Sequence, residues 1–351
     1  MEGRNKPGVL IPAYEPGEQL FILAGELLEK GLELVVVNDG STGKAIFLRL
    51  SKQPGVTVLE HMENQGKGAA LKTGLRYMRE RGFTHAITAD ADGQHSATDI
   101  LRMKEAVEKN GGSLVLGVRS TAEMPGRSRF GNKLTCLLLH GLYGLKLSDT
   151  QTGLRGIPLT GEKVEALLSL PGMGYEFETE MLIRSGELFP AGIVELPIQT
   201  IYLGQNESSH FRPIRDGMRI YRVLFGSLPR FLLSSLGAFV LDYLLFNLIY
   251  YMVFPQEVAA AVIARLISAS TNYLINRNFV FRGRKESYTA LNYGKLACGL
   301  LLANVLLLRF FTGILGVPAY LTKLFVEVFL YIVSFLVQSS LAHRHIGKKE
   351  K

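Results

Sequence analysis

Tryptophan is absent from this chain of 351 residues, and cysteine occurs only as Cys136 and Cys298. Two distant cysteines supply neither a disulfide framework nor the clustered thiols of a zinc site, and they suit a reducing setting for the first half. Low-complexity tracts are missing. Met1 to Gly8 is polar and has no apolar core, so no signal peptide is expected. Acidic residues are in deficit, 31 against 39 lysines and arginines, which leaves a formal net charge of +8. Such an excess can attract nucleic acid. Here many basic residues flank apolar segments instead of forming a patch, which points to a membrane surface and away from nucleic acid.

What is present divides the chain. Residues 1–203 have the make-up of a soluble α/β protein, 204–230 form a basic junction, 231–342 are mostly apolar, and 343–351 form a basic tail. In the first part Val9-Leu10-Ile11, Leu34 to Val37, Val56 to Leu59, Thr84 to Ala89 and Ser113 to Val118 read as strands, with helices at Glu18 to Lys30 and through Arg79. Alternation of this kind predicts a parallel sheet covered on both faces. Ligands of such sheets bind at the carboxyl ends of the strands. Polar clusters stand at those ends: Pro12-Ala13-Tyr14-Glu15, Asn38-Asp39-Gly40, Asn64-Gln65-Gly66-Lys67-Gly68 and Asp90-Ala91-Asp92-Gly93-Gln94-His95. The carboxylate pair, hard oxygen ligands beside room for water, suits Mg²⁺ or Mn²⁺ held against a diphosphate.

These residues, from Val9 to about Tyr202, resemble family 2 glycosyltransferases of the dolichyl-phosphate mannose synthase and polyprenyl-phosphate glucosyltransferase branch. The resemblance implies a GT-A-type α/β domain with a mainly parallel sheet. It implies nucleotide-sugar contacts at Pro12, Tyr14, Glu15, Asp39, Asn64, Lys67 and Asp90, and a metal held by Asp90 and Asp92 with Gln94 as a further ligand. Asn38 stands where the family usually has a second acidic residue. Asp149-Thr150-Gln151-Thr152-Gly153-Leu154-Arg155 is similar to the family's D-x-x-[ST]-G-[FL]-R segment near the reacting sugar. Glu176, Glu178 and Glu180 read as a solvated helix face, with a catalytic role in the acceptor half as the alternative.

The implied reaction transfers one hexose, with inversion, from UDP-glucose, UDP-N-acetylglucosamine or GDP-mannose to an undecaprenyl-type phosphate. A phosphate monoester is already ionised near pH 7, so the site needs cations more than a base. Asp92, Asp149 and Arg119 are the catalytic candidates, and Arg119, Arg127, Arg129 and Arg212 the acceptor-phosphate candidates. On this reading Glu178→Gln is tolerated and Asp92→Glu is not. The lack of a Gln-x-x-Arg-Trp segment counts against a polysaccharide synthase with a polymer acceptor.

Met218 to Phe225 alternates basic and apolar residues at helical spacing and reads as an amphipathic helix on anionic headgroups. Beyond it, 231–254, 258–281, 296–315 and 324–342 are each long enough to span a bilayer, predicting an all-α bundle of four transmembrane helices. The basic flanks place the catalytic domain and both termini in the cytoplasm of a bacterial-type plasma membrane. Arg265, Ser268, Asn272-Tyr273, Asn276-Arg277 and Val280-Phe281 resemble the GtrA-like family, whose members are associated with polyprenyl-linked sugars and their flipping. Asp242, about 16 Å into the first segment at the helical rise, with Arg265, Asn272 and Asn276, reads as a polar path or a buried structural set. An anchor or homo-oligomerisation module is the other reading of these spans.

Overall fold

The computed structural model describes residues 6–120, 122, 124–199, 212–253, 255–281 and 288–343. The chain divides into two compact units, Met1–Leu137 with Lys146–Leu224, and Leu138–Leu145 with Phe225–Lys351.

In the first unit the strands are β1 (Pro7–Ala13), β2 (Leu34–Asp39), β3 (Val56–His61), β4 (His85–Thr88), β5 (Leu114–Arg119), β6 (Arg155–Pro158) and β7 (Ile193–Ile198). They form one sheet in the order β3-β2-β1-β4-β6-β5-β7. The β1–β2, β1–β4, β2–β3 and β5–β7 pairings are parallel. Only β6 runs the other way, antiparallel to both β4 and β5. The sheet is therefore mainly parallel, and β6 and β7 are strands that the sequence reading did not contain. The helices of this unit are α1 (Gln19–Glu29), α2 (Ala45–Leu50), α3 (Lys67–Glu80), α4 (Ala97–Lys109), the start of α5 (Gly126–Tyr143), α6 (Lys163–Leu168), α7 (Glu176–Ile183), α8 (Ser185–Leu188) and α9 (Pro213–Leu224).

Strand and helix faces close one core. Val9, Ile11, Val36, Ile87 and Val115 pack under Leu20, Leu23 and Leu27 of α1 and Ile100, Met103 and Val107 of α4. Full burial of each such side chain contributes about 1.5–3 kcal/mol. Because β1, β2 and β4 are buried on both faces, their sequences are mostly apolar until the sheet ends, whereas the edge strand β3 is half-buried. Polarity is thereby concentrated at the carboxyl edge.

The second unit is helical. Its long elements are α10 (Leu228–Leu248), α11 (Glu257–Ile275), α12 (Ala290–Arg309) and α13 (Ala319–His343), and the first three each continue into one π-helical turn. The helix α10 packs along α11, and α12 along α13. Phe231 lies at the centre of an aromatic cluster, 5.2 Å from Tyr331, 5.4 Å from Phe335 and 5.8 Å from Phe281 by ring centroids. Among the described residues, three helices are long and apolar enough to cross a membrane: Leu228–Val253, Ala290–Ile314 and Leu324–His343. The helix α11 is not in that set, which was drawn from the described residues alone.

Candidate active site

Each polar cluster at a strand end contributes to one crevice of about 960 Å³, lined by Pro12, Tyr14 and Glu15 after β1, Asp39 of β2, Asn64 and Lys67 after β3, and Asp90 and Asp92 after β4. All seven nucleotide-sugar candidates meet there, with Asp92. The helix α9 supplies the remaining wall through Arg212, Arg215, Asp216 and Arg219, and Tyr175 closes one side.

The floor is an ion cluster. Lys67, first residue of α3, places its ammonium 2.6 Å from Asp90 Oδ1 and 3.0 Å from Glu178 Oε2. Burial alone would lower the lysine pKa, but Asp90 and Glu178 outweigh it and raise it well above the usual value. The converse holds for Asp90: burial pulls its carboxyl up, and Lys67 holds it far below the ordinary range. Asp92 goes the other way, raised by burial and then by the negative charge of Asp90. Its Oδ1 accepts the backbone N–H of Gln94 at 3.0 Å. Gln94 does not line the crevice.

Asp39 ties two elements together. Its Oδ1 contacts His61 Nδ1 at 2.7 Å and accepts Gln65 N–H at 3.0 Å, while Oδ2 accepts Gly66 N–H at 2.8 Å. His61 in turn contacts Thr73 Oγ1 at 2.9 Å. The sequence reading missed His61, the last residue of an otherwise ordinary strand. Asn38 accepts Ser41 N–H at 2.9 Å through Oδ1, a turn-closing role that needs no negative charge. Glu15 has a φ of 45°, a strained conformation for a non-glycine residue, and its carboxylate accepts both the N–H and the hydroxyl of Thr42 at 2.7 Å. Gly66, at φ 101°, starts α3 in a conformation open to glycine, with Met173 carbonyl where a Cβ would lie.

The segment 149–155 reaches the site because β6 is antiparallel to β4. Thr88 hydroxyl donates to the Gly153 carbonyl at 2.7 Å, and any Cβ at Gly153 would collide with the Asp90 carboxylate. Arg155 is almost wholly buried and donates to the carbonyls of Thr152, Glu178 and Thr150 at 3.1, 2.9 and 3.1 Å, which fixes α7 against the sheet. Asp149 is fully buried and takes a bidentate fork from Arg119, 2.7 and 3.0 Å. Neither Asp149 nor Arg119 lines the crevice. Their pair braces the wall, and the acceptor role expected of Arg119 has no support in this arrangement. Arg129 spends its guanidinium on the carbonyls of Ala122 and Met124 at 2.9 and 3.0 Å, also away from the crevice. The side chain of Arg127 lies outside the described residues.

The glutamates of α7 are not a solvated face. Glu178 is 7% exposed and faces Lys67. Glu176 accepts the N–H of Met173 and of Gly174 at 3.2 and 3.0 Å, and Glu180 accepts Gly172 N–H at 2.8 Å. All three turn inward because the loop before α7 presents unpaired amides and α3 presents a lysine. The helix α9 also contributes basic residues to the crevice. Arg215 and Arg219, four residues apart, share one helix face, and with Arg212 they look into the crevice. Asp216 closes the start of this helix by accepting Arg212 N–H at 2.7 Å. Arg215 and Arg219 were legible only as part of a basic stripe.

In the second unit the four polar residues singled out from sequence engage different partners. Asp242 lies 3.2 Å from Arg265 and accepts Ser268 hydroxyl at 2.8 Å. Asn272 accepts Ser234 hydroxyl at 2.8 Å. Asn276, fully buried, donates to Gln338 at 3.0 Å, and Gln338 also accepts Tyr288 hydroxyl.

The donor set fits a divalent cation. Asp90 and Asp92 stand together at one edge of the crevice, and the Asp92 carboxyl is raised by burial and then by the charge of Asp90. Among the described residues no group of three or more His, Cys, Asp or Glu forms a metal cage. Two carboxylates would leave coordination positions for diphosphate and water, the habit of Mg²⁺ and its relatives.

Comparison with known proteins agrees with this anatomy. The model of glycosyl transferase family 2 matches residues 9–158, and that of the GtrA/DPMS transmembrane domain matches 230–342. An uncharacterized protein of Methanocaldococcus jannaschii is 30% identical over 200 residues, 55% of this chain and 81% of the relative. An undecaprenyl-phosphate mannosyltransferase of Micrococcus luteus is 30% identical over 212 residues, covering 57% and 86%. A UDP-N-acetylglucosamine–dolichyl-phosphate N-acetylglucosaminyltransferase of Methanococcus voltae is 30% identical over 217 residues, covering 55% and 85%. With this crevice at its strand ends and apolar helices in its second unit, the chain belongs to glycosyl transferase family 2, as a membrane glycosyltransferase with a GtrA/DPMS transmembrane domain.

Proposed function

We propose that the enzyme moves a single hexose from a nucleotide diphosphate sugar to a polyprenyl phosphate, by in-line attack with inversion at the anomeric carbon. The observation that carries this reading is the make-up of one crevice, with Asp90, Asp92 and Lys67 on one wall and Arg212, Arg215 and Arg219 on another. Relatives named for undecaprenyl-phosphate and dolichyl-phosphate acceptors support a lipid phosphate.

The donor is UDP-glucose, UDP-N-acetylglucosamine or GDP-mannose. Its nucleoside faces Asp39, Tyr14 and Glu15, and its diphosphate faces Asp90, Asp92 and Lys67. Asp90 and Asp92 would hold Mg²⁺ or Mn²⁺, which when bound neutralises the departing diphosphate. The acceptor phosphate arrives as a nucleophilic anion and needs little proton removal. Arg212, Arg215 and Arg219 draw it in by charge-assisted hydrogen bonds and hold it apart from the donor phosphates. Tyr175, its pKa pushed by burial to about 12, remains a phenol that donates a hydrogen bond.

The membrane helices retain the enzyme at the bilayer that contains its acceptor. We read them as four spans, α11 being the second, with both termini on the cytoplasmic side. One observation favours a second role, passage of the product headgroup: the Arg265 side chain is 74% exposed beside Asp242. Arg265→Leu in cells separates the two roles. Loss of surface glycosylation with lipid product still made supports passage, and unchanged glycosylation supports an anchor.

The deciding assay is transfer from each radiolabelled donor to undecaprenyl phosphate by the full chain in lipid, with and without Mg²⁺ or Mn²⁺. A single metal-dependent lipid product is expected with one donor. Absence of lipid product with all three overturns the proposal.

A further inference from the structure

The ion cluster in the floor of the crevice is unbalanced, and its imbalance is arranged around one movable group. Lys67 has two carboxylate partners at once, Asp90 Oδ1 at 2.6 Å and Glu178 Oε2 at 3.0 Å. Its side chain is 14% exposed, that of Glu178 10%. The other Glu178 oxygen, Oε1, is buried without a hydrogen bond among the described residues, and Arg155 Nε stands 3.5 Å from it. Arg155 directs three of its five N–H groups to carbonyls. Glu178 therefore has capacity to spare, and Asp90 Oδ1 is taken by the Lys67 ammonium.

We propose that Lys67 is a displaceable internal cation. It neutralises Asp90 while the donor site is empty and is handed to Glu178 when a divalent ion takes Asp90. This rests on the metal-dependent reading above. Glu178 is then a positioning residue: it touches neither sugar nor phosphate, and it gives the lysine a second seat already within ion-pair distance. The exchange needs no backbone movement, because both seats are occupied in one rotamer. It also sets an order. A bare divalent ion must compete with an ammonium for Asp90, whereas an ion that arrives with a nucleoside diphosphate brings phosphate oxygens to which Lys67 can turn in exchange. The site thus favours the metal–nucleotide complex over the metal alone, beyond what added phosphate ligands provide.

The test is Mn²⁺ binding to the full chain in lipid nanodiscs, followed by electron paramagnetic resonance of free Mn²⁺, first alone and then with UDP or GDP. In the wild type, Mn²⁺ alone should bind weakly and tighten with the matching nucleotide. Lys67→Met should bind Mn²⁺ alone about tenfold more tightly than the wild type, since Asp90 is no longer competed for; tenfold corresponds to about 1.4 kcal/mol. Glu178→Gln should bind Mn²⁺ alone about tenfold more weakly, since the lysine then has Asp90 as its single anion. Lys67→Arg should restore weak binding. Misfolding weakens binding in every variant, so a gain with Lys67→Met cannot arise from damage. Unchanged or weaker Mn²⁺ binding by Lys67→Met, in protein that still binds Mn²⁺ with nucleotide, overturns the exchange alone. No Mn²⁺ binding by the wild type with either nucleotide overturns the metal reading and the exchange together.

Discussion

Polar side chains do opposite work in the two units. In the catalytic unit they share partners: Lys67 serves Asp90 and Glu178, and Asp39 serves His61 and two backbone amides. In the membrane unit they pair off in small sets that bridge helices, Ser234 with Asn272, Asp242 with Ser268 and Arg265, Asn276 with Gln338. Shared partners leave charge in excess, and excess charge is what a ligand can use. Local sets spend their polar groups between helices, though Asn276 Oδ1 is buried without a hydrogen bond among the described residues. A polar residue therefore signals a site only when its neighbours are over-committed, whatever its type.

The largest test of that contrast is Gly153→Ala. The added methyl group collides with Asp90 and displaces a residue at the reacting end, so turnover should fall by about 100-fold or more. Transfer assays read the loss, and far-UV circular dichroism should show an intact helical signal. Next is Arg219→Ala on the opposite wall. Removal of one charge-assisted contact should raise KM for the lipid acceptor by roughly 10- to 100-fold, with the donor KM within about twofold. An equal rise in both constants would remove the assignment of α9 to the acceptor.

The third test is of stability. His85 sits at the start of β4, 4% exposed, with Nε2 2.8 Å from the Gly111 carbonyl. Burial lowers its pKa. The folded state thus binds a proton less readily than the unfolded chain, so the stability tied to neutral His85 is full above about pH 6.5 and is lost as pH falls toward the folded value. Melting of the catalytic unit should drop by about 2–4 °C per kcal/mol lost between pH 7.5 and 5. His85→Gln should flatten that slope. A slope unchanged by this substitution would assign the acid sensitivity elsewhere. The smallest effect is expected in the membrane unit, where Asn276→Leu breaks the bond to Gln338 and should cost about 0.6 kcal/mol in detergent unfolding. A sharp loss of sugar transfer in that variant would mean that the two units are not separable in the way described.

Much of the catalytic unit was legible because a doubly covered parallel strand must be apolar until it ends. The turn to polarity at Asp39 and Asp90 therefore marks both the strand end and the ligand edge. The strand β6 was not legible. Arg155-Gly156-Ile157-Pro158 has neither alternation nor length, and its place is set by pairing with Thr88 and its neighbours. Glu178 was misread because helical spacing reports which residues share a face but not which charge stands across from that face. Arginines were found by type, and type alone cannot separate one that braces, such as Arg119 on Asp149, from one that looks into the crevice, such as Arg219. In the membrane half, length and hydropathy disclosed the helices.

The reversed strand also fixes how this enzyme can vary in length. Thr88 is paired with Arg155, and two residues earlier Gly153 abuts Asp90. One residue inserted between Gly153 and Arg155 would either move the glycine off the carboxylate or slip β6 by one and turn Arg155 to the other face of the sheet. Deletion does the same in the opposite sense. The segment 149–155 is therefore a ruler, and natural or engineered loop variants should gather elsewhere on the unit and leave its seven-residue count untouched.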